Sequence, residues 1–487
     1  MSISDQLRAR LSGVLLTPGD AGFAAALEID NGRVDLVPAY VVQPRSAEDV
    51  ALALRFTREL GLPLTVKCGG HSAAGYSLNS GGLVVDLSLM KAIHLDRDAR
   101  LLRVELGARW TDVYTFLFDT GTGLIPIGGG CLTVGLAGFL LGGGYSFTSR
   151  SYGLGSDNIV SLDLVTPDGV LHHLHDGVDS PEDKELWWAC RGGGGGNFGV
   201  AVAVELRVHQ PPTPTMMVGE IAYPLAAGHD VIGTYNEWVQ TLPDAMAVYG
   251  FLGNLPDPAD KSRQLQAFRI TAVYNGAHAD GVELLGPMLR LPMIEAELYD
   301  MVLPLWEDKI GKSTLVGDRQ GYIRSGIVPY GGMTSDVIDI YQRFIGDAPS
   351  ADSFVVWTHG GGAISRVAPE ETAFVHREPG FIYELKSIWT DLVDTRRNVE
   401  WAYEFGEALR PHFAGAYANY IDPLLVDWPE MYYGANYDRL LRIKHAVDPD
   451  RILGFQQGVG SDYRPTGAQP LDLSPLNRTV DPDGGTR

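Results

Sequence analysis

Leu64-Thr65-Val66-Lys67-Cys68-Gly69-Gly70-His71-Ser72 reads as a strand that runs straight into a glycine turn. The residues before it complete a unit. Val41-Val42 is a short apolar strand stopped by Pro44. Ser46 with Asp49 three residues on resembles a capping box, and an apolar stripe follows at Val50, Ala53, Leu54 and Leu60. Gly61 and Pro63 end that predicted helix. Strand, helix, strand and glycine turn make a βαβ-like unit whose turn is placed to meet a ligand.

The same texture continues downstream. Strands are expected at 83–87, 93–95 and 101–106, then a helix at 110–118 capped by Thr111. Between Gly128 and Gly144 lie eight glycines in seventeen residues, with Cys131 among them. A strand at 158–166 turns through Pro167-Asp168-Gly169 into a partner at 170–174. A short helix at 184–189 meets the third glycine run, Gly192 to Gly196, and a strand at 200–208 follows. Without a Cβ, backbone approaches a phosphate closely and aims several N–H groups at it. Three glycine runs therefore point to a long phosphate-bearing cofactor held at several places. Pro211-Pro212-Thr213-Pro214 is a linker, and beyond it glycine runs become rare. Tyrosines crowd the end at Tyr417, Tyr420, Tyr432, Tyr433 and Tyr437.

With 487 residues the chain suits two domains. Its 38 Lys and Arg against 60 Asp and Glu give a net charge of -22, which argues against nucleic acid or an anionic membrane as partner. No run of apolar residues is long enough to span a bilayer, and the N-terminal residues carry no apolar core of signal-peptide length. Three cysteines without metal spacing suit a reducing cytoplasm, so the Asn477-Arg478-Thr479 sequon lacks a secretory context. Gly311-Lys312-Ser313 is no P-loop, because its first glycine would fall at Trp306. The run at Gly192 follows a helix rather than a strand, which excludes a Rossmann fingerprint. His172, His173 and His175 read as a solvated hairpin strand, and no metal site is expected.

Lys67-Cys68-Gly69-Gly70-His71-Ser72-Ala73-Ala74-Gly75-Tyr76 resembles the histidyl-flavin loop of berberine bridge enzyme-like oxidases, which share the p-cresol methylhydroxylase type of FAD fold. Gly130-Cys131-Leu132-Thr133-Val134-Gly135, continuing to Gly144-Tyr145, resembles the cysteinyl-flavin loop of that family. Gly153 to Asn158, Trp187 to Val200, Tyr417 to Asp422 and Tyr432 to Asn436 match further segments in order, from about residue 40 to 460. The overall texture is similar to bacterial antibiotic-tailoring members. Cys68 and Cys190 depart from the pattern and read as small buried fillers.

The resemblance implies an α+β, two-domain fold: an FAD-binding domain over 1–210, an antiparallel-sheet substrate domain over 211–410, and a segment over 411–487 completing the first domain. It implies FAD bonded to His71 through the flavin 8α-methyl and to Cys131 through C6. It places Gly69, Gly70, Ser72, Ala73, Tyr76, Val134, Gly135, Gly138, Gly143, Gly144, Tyr145, Asp157, Asn158, Val160, Asn197, Val200, Tyr433 and Asn436 at the cofactor. Tyr420 takes the catalytic-base position. Its ordinary pKa of about 10 requires a neighbour that lowers it. Glu384 is the rival base, on a strand at 381–386 where Lys386 shares its face. A plain surface ion pair is the bland alternative for Glu384. Val134 falls where the family gates dioxygen. The expected reaction oxidises an alcohol or hemiacetal of a sugar or secondary metabolite to ketone or lactone, with peroxide as co-product. The expected substrate is glycosylated or polycyclic. A dehydrogenase, an oxidative cyclase, an amine oxidase and a flavin-loaded binder are the alternatives.

Overall fold

Tyr40–Gln43 (β2) leads through the helix Ala47–Leu60 into Leu64–Lys67 (β3), as the opening unit predicts. The Ser46 hydroxyl accepts the Asp49 N–H at 3.4 Å, and Gly61 ends the helix at φ 61°. With Val14–Leu16 (β1) and Leu83–Asp86 (β4) these strands form a four-stranded sheet in the order β1-β2-β4-β3. Both β2 and β3 pair parallel to β4, so β4 lies between the two strands of the unit. The computed structural model describes residues 3–302 and 319–463. Trp306, Gly311-Lys312-Ser313 and the Asn477 sequon lie outside them.

A second, five-stranded antiparallel sheet joins Ile93–Asp96 (β5), Leu101–Glu105 (β6), Ile159–Val165 (β7), Leu171–His175 (β8) and Val200–Arg207 (β9), in the order β5-β6-β9-β7-β8. The helix beside it, Trp110–Asp119, is not capped by Thr111. It starts at Trp110 as expected, but its N-cap is Arg109, whose N–H is accepted by the Asp112 carboxylate at 2.8 Å. The helix expected at 184–189 begins at Pro181, because the Ser180 hydroxyl caps it by accepting the Asp183 N–H at 3.3 Å. His172 and His173 contact Asp183 and Asp163 at 2.6 and 2.5 Å.

The third sheet has seven antiparallel strands: Met216–Pro224 (β10), Met246–Pro256 (β11), Gln264–Tyr274 (β12), Glu295–Met301 (β13), Gln320–Pro329 (β14), Phe354–His359 (β15) and Gly380–Trp389 (β16). Their order is β13-β10-β12-β11-β15-β16-β14. The helices Gly228–Val239, Ser335–Gly346 and Thr395–Leu409 cover one face, packing Val231, Tyr341 and Phe405 with Phe268, Trp357, Tyr383 and Leu385. Strand side chains alternate, so the residues between these point the other way. That free face is what the fold offers to a ligand.

The first two sheets share a core with residues from the chain's far end, including Trp428, Tyr432, Leu440 and Leu453. Leu64 even bridges in parallel to Leu453. The architecture is α+β in two domains, with the C-terminal segment returning to the first. Among the described residues no helix is long and apolar enough to cross a membrane.

Candidate active site

Two glycine loops meet backbone to backbone. A Cβ on Gly69 would collide with the backbone of Gly135, and one on Gly135 would collide with Gly69 and the Cys68 sulfur. Each glycine is therefore required by the other. Gly70 follows at φ 72°, and its carbonyl accepts the Asp30 N–H at 3.0 Å. This interlock brings His71 Nε2 to 2.9 Å from Thr133 Oγ1, and Cys131 Sγ to 3.4 Å from the same hydroxyl. Asp30 Oδ2 stands 3.7 Å from His71 Nδ1. Burial, helped by the Lys386 and Arg109 charges, holds the His71 imidazole down to about 4. The imidazole is thus neutral at physiological pH. Burial pushes the Cys131 thiol up, against the hydrogen bonds from Thr133.

The loops open onto a cavity of about 530 Å³. Its lining includes Gly70, Ser72, Ala73, Tyr76, Val134, Gly135, Gly138, Tyr145, Asn197 and Tyr433 among the residues expected at the cofactor. Gly138 faces open space, where an added Cβ would meet no atom within 4 Å. No packing constraint within the protein demands glycine there, whereas a closely approaching ligand would. Asn197 lines the cavity with its amide already engaged: Oδ1 accepts the Val459 N–H and Nδ2 donates to the Gly193 carbonyl.

Gly69, Gly143, Gly144, Asp157, Asn158, Val160, Val200 and Asn436 stand behind the lining. Asp157 takes both Arg377 donors at 2.8 Å, and Asn158 binds the Leu154 carbonyl. Asn436 donates to the Pro369 and Thr372 carbonyls. Gly143 and Gly144 accept the Ser156 and Gly155 N–H groups. Val200 is buried in β9, and Val160 sits at a register shift of β7. In this arrangement these residues build the wall rather than its surface. Cys68 is half-buried and belongs to the lining rather than the core, and burial pushes its thiol up to about 11; Cys190 is buried in the core.

The free face of the seven-stranded sheet closes the cavity, and the loop bearing Tyr420 lies beside it. That loop is fixed at several points. Tyr417 Oη accepts the Gly144 N–H at 2.8 Å, and Asn419 Nδ2 donates to the Phe139 carbonyl. Asp422 accepts from Arg324 Nε at 2.8 Å and from the Tyr322 hydroxyl at 2.7 Å. Glu384 and Lys386 are not at the surface. Their side chains are 14% and 8% exposed, 3.8 Å apart, and both line the cavity. Burial, then the Glu384 charge, pushes the Tyr420 phenol well above 10, so the neighbour expected to lower it is not what the site provides. Burial also raises the Glu384 carboxyl, opposed by Lys386. The Glu384 charge thus disfavours a second negative charge on the Tyr420 phenol.

Sequence reading missed Asp30, Arg269, Phe251 and Val356 on the lining. Asp30 carries no motif at all. The others alternate along strands, a signal that leaves undecided which face turns inward.

The family model described as FAD binding domain matches residues 38–175, and that described as Berberine and berberine like matches 416–460. The chain is 29% identical to YvdP, an FAD-linked oxidoreductase of Bacillus subtilis, over 92% of this chain and 98% of that protein. It is 28% identical to the xylooligosaccharide oxidase of Thermothelomyces thermophilus, over 88% of each. The solved BBE-like 1 of Physcomitrella patens superposes with a TM-score of 0.85 at 22% identity, covering 95% of this chain and all of that one. With two glycine loops converging on one cavity and both ends of the chain matched in order, the chain is an FAD-linked oxidoreductase similar to the berberine bridge enzyme-like proteins.

Proposed function

We propose that the protein holds FAD covalently through His71 and Cys131 and oxidises a sugar hemiacetal to its lactone, with dioxygen reduced to hydrogen peroxide. The observation that carries this is the pair of anchors meeting at one Thr133 hydroxyl on the cavity wall, one a neutral imidazole and the other a thiol. The glycine-lined cradle with open space at Gly138 fits a ligand that backbone must touch. The flavin, when bound, supplies the two-electron acceptor for the substrate C–H. The sugar assignment is supported by the likeness to a xylooligosaccharide oxidase. The division at residues 210 and 411 is supported by the two separate cores, the first of which draws in the chain's far end.

The chain's own residues manage the proton. Tyr420 accepts the substrate hydroxyl proton as its own phenol proton passes toward Glu384, so a free phenolate need not persist. Lys386 keeps the carboxylate's charge tolerable in the buried site. Val134, on the cavity wall three residues after Cys131, is small enough to leave dioxygen a path.

Acid precipitation should leave a yellow pellet, and a digest should yield one flavin joining the His71 and Cys131 peptides. Xylooligosaccharides should bleach the flavin without air and release peroxide with it. Free FAD in the supernatant would refute the covalent reading. Bleaching without fast reoxidation would make the protein a dehydrogenase.

A further inference from the structure

One charged group in the cavity has no task in the chemistry above. Arg269 lies on β12 and lines the cavity, its guanidinium stacked 5.1 Å from the Phe251 ring. Its Nε is buried without a hydrogen-bond partner. Among the described residues no carboxylate pairs with it. Glu220 stands opposite Thr271 on the neighbouring strand, diagonal to Arg269. A guanidinium left so in a partly dry site calls for an external acceptor. A carboxylate matches its planar fork with two hydrogen bonds and cancels its charge, which a neutral hydroxyl does not.

The sheet register measures where that acceptor must lie. Arg269 pairs with Phe251, Phe251 with Val356, and Val356 with Glu384. The four residues form one row across the sheet, so Arg269 is three strand spacings from Glu384, about 14 Å. Between them the floor is apolar. A ligand occupying the row is elongated, apolar-faced in its middle, reactive at one end and anionic at the other.

We propose that Arg269 binds a carboxylate carried by the substrate, remote from the hydroxyl that is oxidised, so that the preferred substrate is a short acidic oligosaccharide rather than a neutral one. This rests on the sugar-oxidising reading given above. The discriminating probes are a xylotriose bearing a glucuronic acid, its methyl ester, and xylotriose itself. With the native enzyme, kcat/KM for the acid should exceed that for the ester by about 10- to 100-fold, the worth of a charge-assisted hydrogen bond. Arg269→Gln should bring that ratio close to one, and Arg269→Lys should restore part of it. Titration calorimetry of acid and ester against native and Arg269→Gln protein reads the same preference without turnover. Equal affinity for acid and ester, or a preference that survives Arg269→Gln, overturns the proposal. If none of the three sugars bleaches the flavin, the sugar-oxidising reading falls, while calorimetry still decides whether Arg269 selects the carboxylate.

Discussion

At the scale of single residues, the question is which acid receives the substrate proton. Tyr420 and Glu384 share the cavity, both displaced upward by burial, and the carboxylate's charge is one reason the phenol is so reluctant to ionise. If Tyr420 were the only base, reduction of the flavin would accelerate with alkalinity beyond pH 10. If it relays to Glu384, the rate should instead rise through the carboxyl, at a pH above its ordinary 4.5. Glu384→Gln removes that limb while keeping shape and hydrogen bonding. Tyr420→Phe should slow reduction about 10²–10⁴-fold while leaving covalent flavin and folding intact. Rapid-mixing reduction rates across pH for the two variants decide the matter. A Tyr420→Phe protein that reduces normally would leave Glu384 as sole base. Sequence motifs named both residues as candidate bases, and period-two alternation put Lys386 beside Glu384. What they did not tell was that the pair faces inward, because that depends on which side of the sheet the helices cover.

At the scale of elements, the two glycine loops divide into glycines that internal packing requires and glycines that it does not. Gly135 has no room for a Cβ against Gly69 and Cys68, whereas Gly138 has no atom within 4 Å of one. Gly135→Ala should therefore part the loops and deny His71 and Cys131 their common neighbour. Soluble yield and covalent flavin should fall together, read by denaturing gel fluorescence. Gly138→Ala should do the opposite to the fold, stabilising its helix by about 0.5–1 kcal/mol, since glycine is the poorer helix former. Its methyl would still protrude into the cavity and reduce flavin loading. Normal loading with Gly138→Ala would mean that no ligand approaches there. Such local devices were legible in sequence because they are local: the Ser46 cap, the Gly61 stop and the strand into the turn all came out as read. The order β1-β2-β4-β3 was not, since strand order is settled by tertiary contacts, and the cap at Arg109 was missed because the partner of its N–H, Asp112, lies inside the helix. Likewise Asp157, Asn158 and Asn436 lie in matching motifs yet spend their polar groups on the wall, a distinction a motif does not carry.

At the scale of the whole molecule, the site exists only because the far end of the chain returns to the first domain, and that junction contains a titratable group. His376 lies 3.1 Å from the Tyr432 carbonyl, and a Cβ on Gly415 would press into its ring. Burial holds its imidazole at about 4 in the folded protein, against 6.5 for the ordinary group. Between those values the unfolded chain binds the proton and the folded one does not. Stability from this group is therefore complete above pH 6.5 and is lost progressively as pH falls toward 4. By pH 5 the loss is on the order of 2 kcal/mol for this residue alone. Easing of the net charge of -22 on acidification works in the opposite direction, so the native curve by itself is ambiguous. The comparison that isolates the junction is His376→Gln, which keeps a donor for the Tyr432 carbonyl but does not titrate. Urea unfolding at pH 7 and pH 5 should show the variant losing about 2 kcal/mol less than the native protein over that interval. Parallel losses in the two proteins would mean that the junction already admits the proton, and that the C-terminal segment is held without regard to His376.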